Sequence, residues 1–430
     1  MMRRAHTSLG CLALCLALLA PAAGWAQQEQ ACQGPEGVER KERSSLIGER
    51  TFRRLSAVHE QLGENQYAEA LKGLKGLESG NLNDYEAAMV NQTYGYVFAA
   101  QGKYDQSIPY FEKALQADAL PNAAHFGLMY SLAQLYAGQE KHQRTVDLML
   151  EYLKFQCDPP PQAYIALGSS YASLNRFNEA LPYVRKAIEK AGADAQESWY
   201  QLELAIYFEQ KDFASAARLL TAMVAKWPDK LKYWEMLSGA FQEQQKDLDS
   251  LAALMVAYRK GLMYEAPADQ VEKKILNVVR MNIYAEIPFV AGDILEREMA
   301  AGRVEASEKN LTLLLSAWTQ AREFDKAVAT IDRLAPMKPD GELYLQKAQL
   351  LAEKGDWAGT IEAARQAIDK GNLKKPGGAY LLIGIAANEM RDWQQALDAL
   401  KEARKYDDST RRQAADWIKF VEDRMAVARG

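Results

Sequence analysis

The chain predicts an all-α solenoid of about ten helix–turn–helix units, wound as a right-handed superhelix and closed by a C-terminal capping helix. Three observations carry that expectation. First, a large residue is followed three positions later by a small one at ten places. These begin at Tyr67, Tyr104, His142, Phe177, Phe213, Asp247, Phe289, Phe324, Trp357 and Trp393, in steps of 37, 38, 35, 36, 34, 42, 35, 33 and 36. Second, apolar residues between these marks recur three, four and seven apart, which is the helical period. Third, alternating apolar runs that would mark strands are missing.

The units differ in how well they keep the scheme. In the one marked by Phe177, Tyr164, Leu167, Gly168 and Tyr171 share one stripe of a first helix. Gly168 and Ala180 are small where two helices must approach closely, and Tyr171 is the knob that fills the remaining space. The next unit repeats this with Tyr200, Leu204, Tyr207, Phe213, Ala216 and Leu220, and ends at Pro228, which cannot continue a helix. Leu311, Leu315, Trp318, Phe324, Ala327 and Ile331 follow the scheme before Pro339. So do Tyr380, Ile383, Gly384, Trp393, Ala396, Leu400 and Ala403 near the end. Other units are irregular. Thr145 stands at a small site, Asp247 stands where an aromatic is expected, and Pro288 opens a second helix, where its missing N–H costs nothing. Pro109 and Pro182 fall inside second helices and predict slight kinks. Residues 46–408 read as the solenoid. Residues 409–425 read as the cap, with Ala415, Ile418 and Val421 on its buried side. A unit of this length and small–large order resembles the tetratricopeptide repeat (TPR).

The N-terminus carries a different signal. Arg3 and Arg4 precede an apolar run that ends in Gly24, Trp25 and Ala26, so residues 1–26 read as a secretory signal peptide. Leu14 before Cys15 argues against a lipoprotein signal. Residues 27–45 form a polar tail expected to be poorly ordered. The formal charge is 52 − 57 = −5, and removing Arg3 and Arg4 with the signal makes it 50 − 57 = −7. That balance supplies no cationic footprint for nucleic acid. Past the signal no apolar stretch approaches the length of a membrane span. The expected location is a Gram-negative periplasm.

Signatures of chemistry are missing. Beyond the signal the chain holds His59, His125 and His142, none in a metal-ligand spacing, and Pro376-Gly377-Gly378 is a turn, not a phosphate cradle. The reading is therefore a non-enzyme with no cofactor and no metal. What remains is a binding surface on the first helices, beside the packing stripe. The candidates are Tyr96, Tyr130, Gln134, Gln201, Glu235 and Glu243, with Gln92, Thr312 and Gln349 in the same orientation. Tyrosines, amides and acids suit a protein ligand.

Several runs resemble periplasmic tetratricopeptide proteins encoded beside TonB–ExbB–ExbD systems of Gram-negative bacteria. They are NLNDYE at 81–86, LAQLY at 132–136, PQAY at 161–164, YW at 233–234, LSG at 237–239, GELY at 341–344 and GAYLLIG at 378–384. The resemblance implies a non-catalytic accessory of an energy-transducing transport complex, with TonB-, ExbB- or ExbD-type proteins as partners. His142, Asp247 and Arg280 depart from the pattern, and no functional residue carries over. The alternative is a cell-envelope assembly factor that holds outer-membrane or peptidoglycan-associated clients.

Two cysteines lie beyond the signal, Cys32 and Cys157, and in an oxidising compartment they are expected to pair. Free-thiol titration of the exported, denatured and unreduced protein should then find no thiol. Two thiols would refute the pairing.

Overall fold

The computed structural model describes residues 40, 41 and 46–429. The signal segment, Cys32 and all of the tail except Arg40 and Lys41 lie outside the described residues. Every regular element among the described residues is helical, with no strand. The chain divides into two compact units, Met1–Asp212 and Phe213–Gly430.

In the first unit the helices pair in chain order: α1 (Glu49–Gly63) with α2 (Tyr67–Glu78), α3 (Asp84–Ala100) with α4 (Tyr104–Gln116), α5 (Asn122–Gly138) with α6 (His142–Phe155), and α7 (Pro161–Ser173) with α8 (Phe177–Ala191). Helix α9 (Glu197–Glu209) follows. The second unit opens with α10 (Phe213–Lys226). Its pairs are α11 (Leu231–Gln242) with α12 (Asp247–Arg259), α13 (Ala268–Tyr284) with α14 (Pro288–Ala300), α15 (Glu308–Gln320) with α16 (Phe324–Leu334), α17 (Glu342–Lys354) with α18 (Trp357–Lys370), and α19 (Pro376–Glu389) with α20 (Trp393–Ala403). Helix α21 (Asp408–Arg429) closes the chain.

The sequence period maps onto this order almost residue for residue. Nine of the ten marks are the first residue of a second helix. The exception corrects the alignment: α14 opens at Pro288, so its small residue is Ala291 and not the Gly292 that Phe289 implies. In this register every small site, from Ala70 and Ser107 through Ala180 and Ala291 to Ala396, is buried to 0% exposure. Thr145 is no defect there. It is fully buried, and its hydroxyl donates to the Ala133 carbonyl across the pair at 3.3 Å, as Ser107 does to Gly95 at 2.7 Å. Asp247 is tolerated because an acid in the first turn faces the positive end of the helix dipole. Helices α4 and α8 run through Pro109 and Pro182 without interruption.

In five pairs the small site meets a small residue of the first helix: Gly95, Ala133, Gly168, Ser238 or Gly384. A Cβ added at Gly168 would lie 2.7 Å from Val184 Cγ2 and 3.2 Å from the Ala180 carbonyl. One at Gly95 would lie 2.2 Å from the Phe111 ring, and one at Gly384 2.5 Å from Leu400. Tyr171 is buried and stacks on Tyr183 with centroids 5.8 Å apart.

All ten first helices end in the same turn, which the period did not reveal. Two residues before each second helix the chain enters the left-handed region, at Gly102 and Gly355 but also at eight non-glycines that include Asn65, Lys211 and Arg322. The next N–H then reaches back to the carbonyl five residues earlier, as from Lys103 to Phe98 at 2.9 Å and from Glu323 to Trp318 at 2.9 Å. This is the Schellman pattern, and its two bonds satisfy carbonyls that the helix end would otherwise strand. A left-handed non-glycine costs roughly 1–2 kcal/mol, which the turn and the packing it sets up must offset.

Ends are tied by side chains. Asn83 and Glu86 form a capping box on α3, and the Glu86 carboxylate also accepts from the Gly48 N–H at 2.9 Å, which locks the start of α1 to α3. Arg40 donates to Asp118, to the Leu120 carbonyl and to Asn122 at 2.8–2.9 Å, pinning its segment onto the α4–α5 turn. Cys157, after α6, is disulfide-bonded. In α21 the buried side carries Ala414 and Val421, with Trp417, Ile418 and Met425 beside them. Ala415 is exposed, one position off the stripe expected from sequence.

Gly168→Leu should unfold the α7–α8 pair or lower stability by about 1–3 kcal/mol or more, because the added carbons meet Val184 and backbone. A melting temperature equal to wild type would show that the pair is not closed at this point.

Candidate functional site

The first helices place the sequence-predicted residues in three different settings. Tyr96 is half-buried: its ring meets Phe111 of α4 edge-on at 5.1 Å, its hydroxyl lies 3.5 Å from the Gln92 amide, and burial pushes its pKa up. Tyr130 behaves alike. Its ring lies 5.7 Å from Tyr152 of α6, and burial raises its pKa against a hydrogen bond with Gln134. Both tyrosines are thus part of the intra-pair packing, with only an edge left for a ligand. The reason is geometric: each follows the close-packed stripe by one or two positions and leans into the gap between its pair of helices. Gln201 bonds Glu197 one turn earlier at 3.0 Å.

Glu235 and Glu243 lie in different settings on α11. Glu235 sits mid-helix and forms an ion pair with Lys274 of α13. Glu243 is the C-cap of α11, exposed in the turn. Thr312 and Gln349 are exposed, Thr312 turned back onto the Glu308 carbonyl at 2.7 Å.

Around Glu235 the second unit has a groove of about 500 Å3. One wall is α11, with Glu235, Ser238, Gly239 and Gln242. The other is α13, with Asp269, Gln270, Lys273, Lys274 and Asn277. Leu254 and Met263 make the floor. Met263 belongs to a 3-10 turn, Leu262–Glu265, entered through left-handed Gly261. This insertion is the physical content of the long step in the series, 41 residues from Asp247 to Pro288 in the corrected register.

A buried ionic cluster fastens the insertion. Glu298 of α14 is fully buried and accepts from Tyr258 Oη at 2.6 Å, from Tyr264 Oη at 3.0 Å and from Arg303. Arg297 donates to Tyr258 Oη at 2.8 Å. Burial alone would push the Glu298 carboxyl up. The donors from Arg303, Tyr258 and Tyr264 outweigh it and hold the carboxyl below its usual range. Tyr258 moves the other way, pushed up by burial and by its bond to the carboxylate. The first unit has a smaller counterpart, in which Glu203 accepts from Arg185 at 3.0 Å and from Tyr207 at 2.9 Å.

A second groove of about 500 Å3 lies in the first unit between α4 and α6, over α5. Leu115, Met129, Leu132 and Leu148 give it an apolar floor, and Glu112, Asp147, Glu151 and Arg144 charged walls. Among the described residues no group of three or more His, Cys, Asp or Glu could hold a metal, and no helix is long and apolar enough to cross a membrane.

Two tetratricopeptide-repeat family models match the sequence, one over residues 94–162 and one over 161–190. These residues are tetratricopeptide repeats. The fold of the chain is a helical-repeat solenoid of the same type, since its other pairs share the turn and the buried small site. No curated protein sequence matches the chain. Among solved structures it is similar to YrrB, a TPR protein with an unusual peptide-binding site, at 14% identity over 44% of this chain and 89% of that one, with a TM-score of 0.35. It is similar to MamA from Desulfovibrio magneticus at 17% identity over 42% and 96%, with a TM-score of 0.34. A longer alignment is with Naa15/Naa10 bound to HypK-THB, at 14% identity over 77% and 61%, with a TM-score of 0.42. Proteins built from such repeats bind other proteins as a general rule.

The Glu298 cluster yields a pH test. Its lowered pKa stabilises the fold above the unfolded value near 4.5, and this contribution is lost as pH falls through the folded value. Glu298→Gln should cost about 1.5–3 kcal/mol at neutral pH, and its gap from wild type should narrow as pH drops from 6 toward 3. A gap that stays constant across this range, measured by urea unfolding, would refute the ionised cluster.

Proposed function

We propose that the protein is a non-catalytic scaffold whose first-helix face holds an extended segment of a partner protein, with the α11–α13 groove as the main site. The observation that carries this is the groove's lining. Gln242, Gln270 and Asn277 offer amide donors and acceptors of the kind that pair with a peptide backbone, while Asp269 and Lys273 offer opposite charges for its side chains. The Leu254 and Met263 floor accepts one apolar side chain.

The wider setting is a periplasmic one, in which the partner is a component of a TonB–ExbB–ExbD-type energy-transducing system. Support for it comes from the signal-like N-terminus and from the runs at 81–86, 161–164 and 378–384 that resemble accessory proteins of such systems. The first of these runs is also the capping box of α3, so local helix physics accounts for part of that likeness. A disulfide between Cys32 and Cys157 suits the same oxidising location.

Photo-crosslinkers placed at Asn277 and, as a control, at Arg365 on the exposed side of α18 test the reading in the native host. Asn277 is expected to trap a discrete partner, identified by mass spectrometry, and Lys273→Glu with Asn277→Ala should weaken capture by about tenfold, roughly 1.4 kcal/mol. Capture from Arg365 alone would remove the site from the groove. A trapped partner unrelated to TonB, ExbB or ExbD would overturn the transport setting while keeping the groove.

A further inference from the structure

Ten equivalent turns join first to second helices, so each turn serves as a control for the others. Two residues before the left-handed position, nine turns carry Gly, Ala, Ser, Gln or Glu, whereas the α13–α14 turn carries Tyr284. One residue after it, nine carry Lys, Arg, Asp, Glu or Gln, and this turn carries Ile287. Three residues after it the others carry Ala, Asp, Asn or Gln, and only here and in the α11–α12 turn does a large apolar residue stand, Phe289 and Leu248. These four side chains are 68%, 37%, 47% and 67% exposed. The two turns are neighbours, since Gln242 near the end of α11 bonds Met281 near the end of α13 at 3.4 Å. Exposed large apolar side chains gathered at one edge, at positions where the other turns carry small or polar ones, mark a contact surface.

The rim shows what kind of partner fits. Glu243, Asp247, Asp249 and Glu286 flank the patch against Lys246, Arg280 and Lys326, whose ammonium lies 4.8 Å from the centre of the Phe289 ring, and none of the seven has an ion-pair partner among the described residues. A net acidic border repels an anionic lipid surface, and it repels a second copy of itself. It attracts a helix with one apolar face edged by Lys or Arg, laid against the turns as a helix lies in a groove. We propose that the α11–α14 turn edge docks such a basic amphipathic helix, at a site separate from the first-helix groove.

The test uses the full mature chain and four probes. Two are synthetic 18-residue amphipathic helices with the same leucine face, one edged by lysine and one by glutamate. The third is vesicles containing 30% phosphatidylglycerol, and the fourth is the protein's own sedimentation. The variant Tyr284→Ser/Ile287→Gln takes residues found at these positions in other turns, and leaves Phe289, which packs on Trp318, in place. The lysine peptide should bind, weaken with salt, and lose at least tenfold in the variant while helicity and Lys273-dependent partner capture persist. The proposal is overturned if the variant binds the lysine peptide as wild type does, or if both peptides bind equally. It is also overturned if wild type but not variant sediments with vesicles, or if the variant abolishes a wild-type dimer.

Discussion

Everything in this molecule depends on how closely the two helices of a pair approach. A fully buried Ala, Ser or Thr stands near the start of every second helix, in five pairs it meets Gly95, Ala133, Gly168, Ser238 or Gly384 of the first, and the space allows no extra atom at Gly95, Gly168 or Gly384. That contact fixes the depth at which Tyr171 or Trp318 can sit, and so the surface each pair presents to the next. Buried residues accordingly gather in a series of clusters along each unit instead of one core. Close packing of this kind leaves little room for compromise, because interiors are as dense as organic crystals.

The pair could not close without its turn. All ten first helices end in a Schellman turn, eight of them with a non-glycine in the left-handed region. Because five residue types serve at those eight positions, no one type marks the turn, and the sequence period shows its spacing but not its geometry. The small residues, in contrast, were legible because selection acts on volume, and volume is written in residue identity. Where the period slipped, at Phe289, the slip followed from reading an aromatic as the mark when Pro288 is the first helical residue.

The binding surface was less legible. The sequence placed Tyr96 and Tyr130 on the first-helix face, yet their rings lean into the intra-pair gap, a tilt that stripe counting cannot resolve. Glu235 lines the groove of the second unit, and its neighbours across it on α13 carry no local sequence mark, although the long step of the period falls just there. The inserted turn places Met263 under the groove, and the buried Glu298 cluster anchors the inserted Tyr264. Such a cluster joins residues 40 positions apart, from Tyr258 to Glu298, and no local pattern encodes it. An irregular repeat is therefore the place where the array departs from a uniform surface and opens a groove.

The most direct test of the central contact is a double-mutant cycle across α7 and α8. Gly168→Ala adds one methyl against Val184 Cγ2, and Val184→Ala removes the atoms it meets. If close approach governs the pair, Gly168→Ala is destabilising in the wild-type protein and costs at least about 0.5 kcal/mol less when Val184 is already Ala, as contacting residues couple. If the two effects add without coupling, the helices are not held at this distance and the account fails.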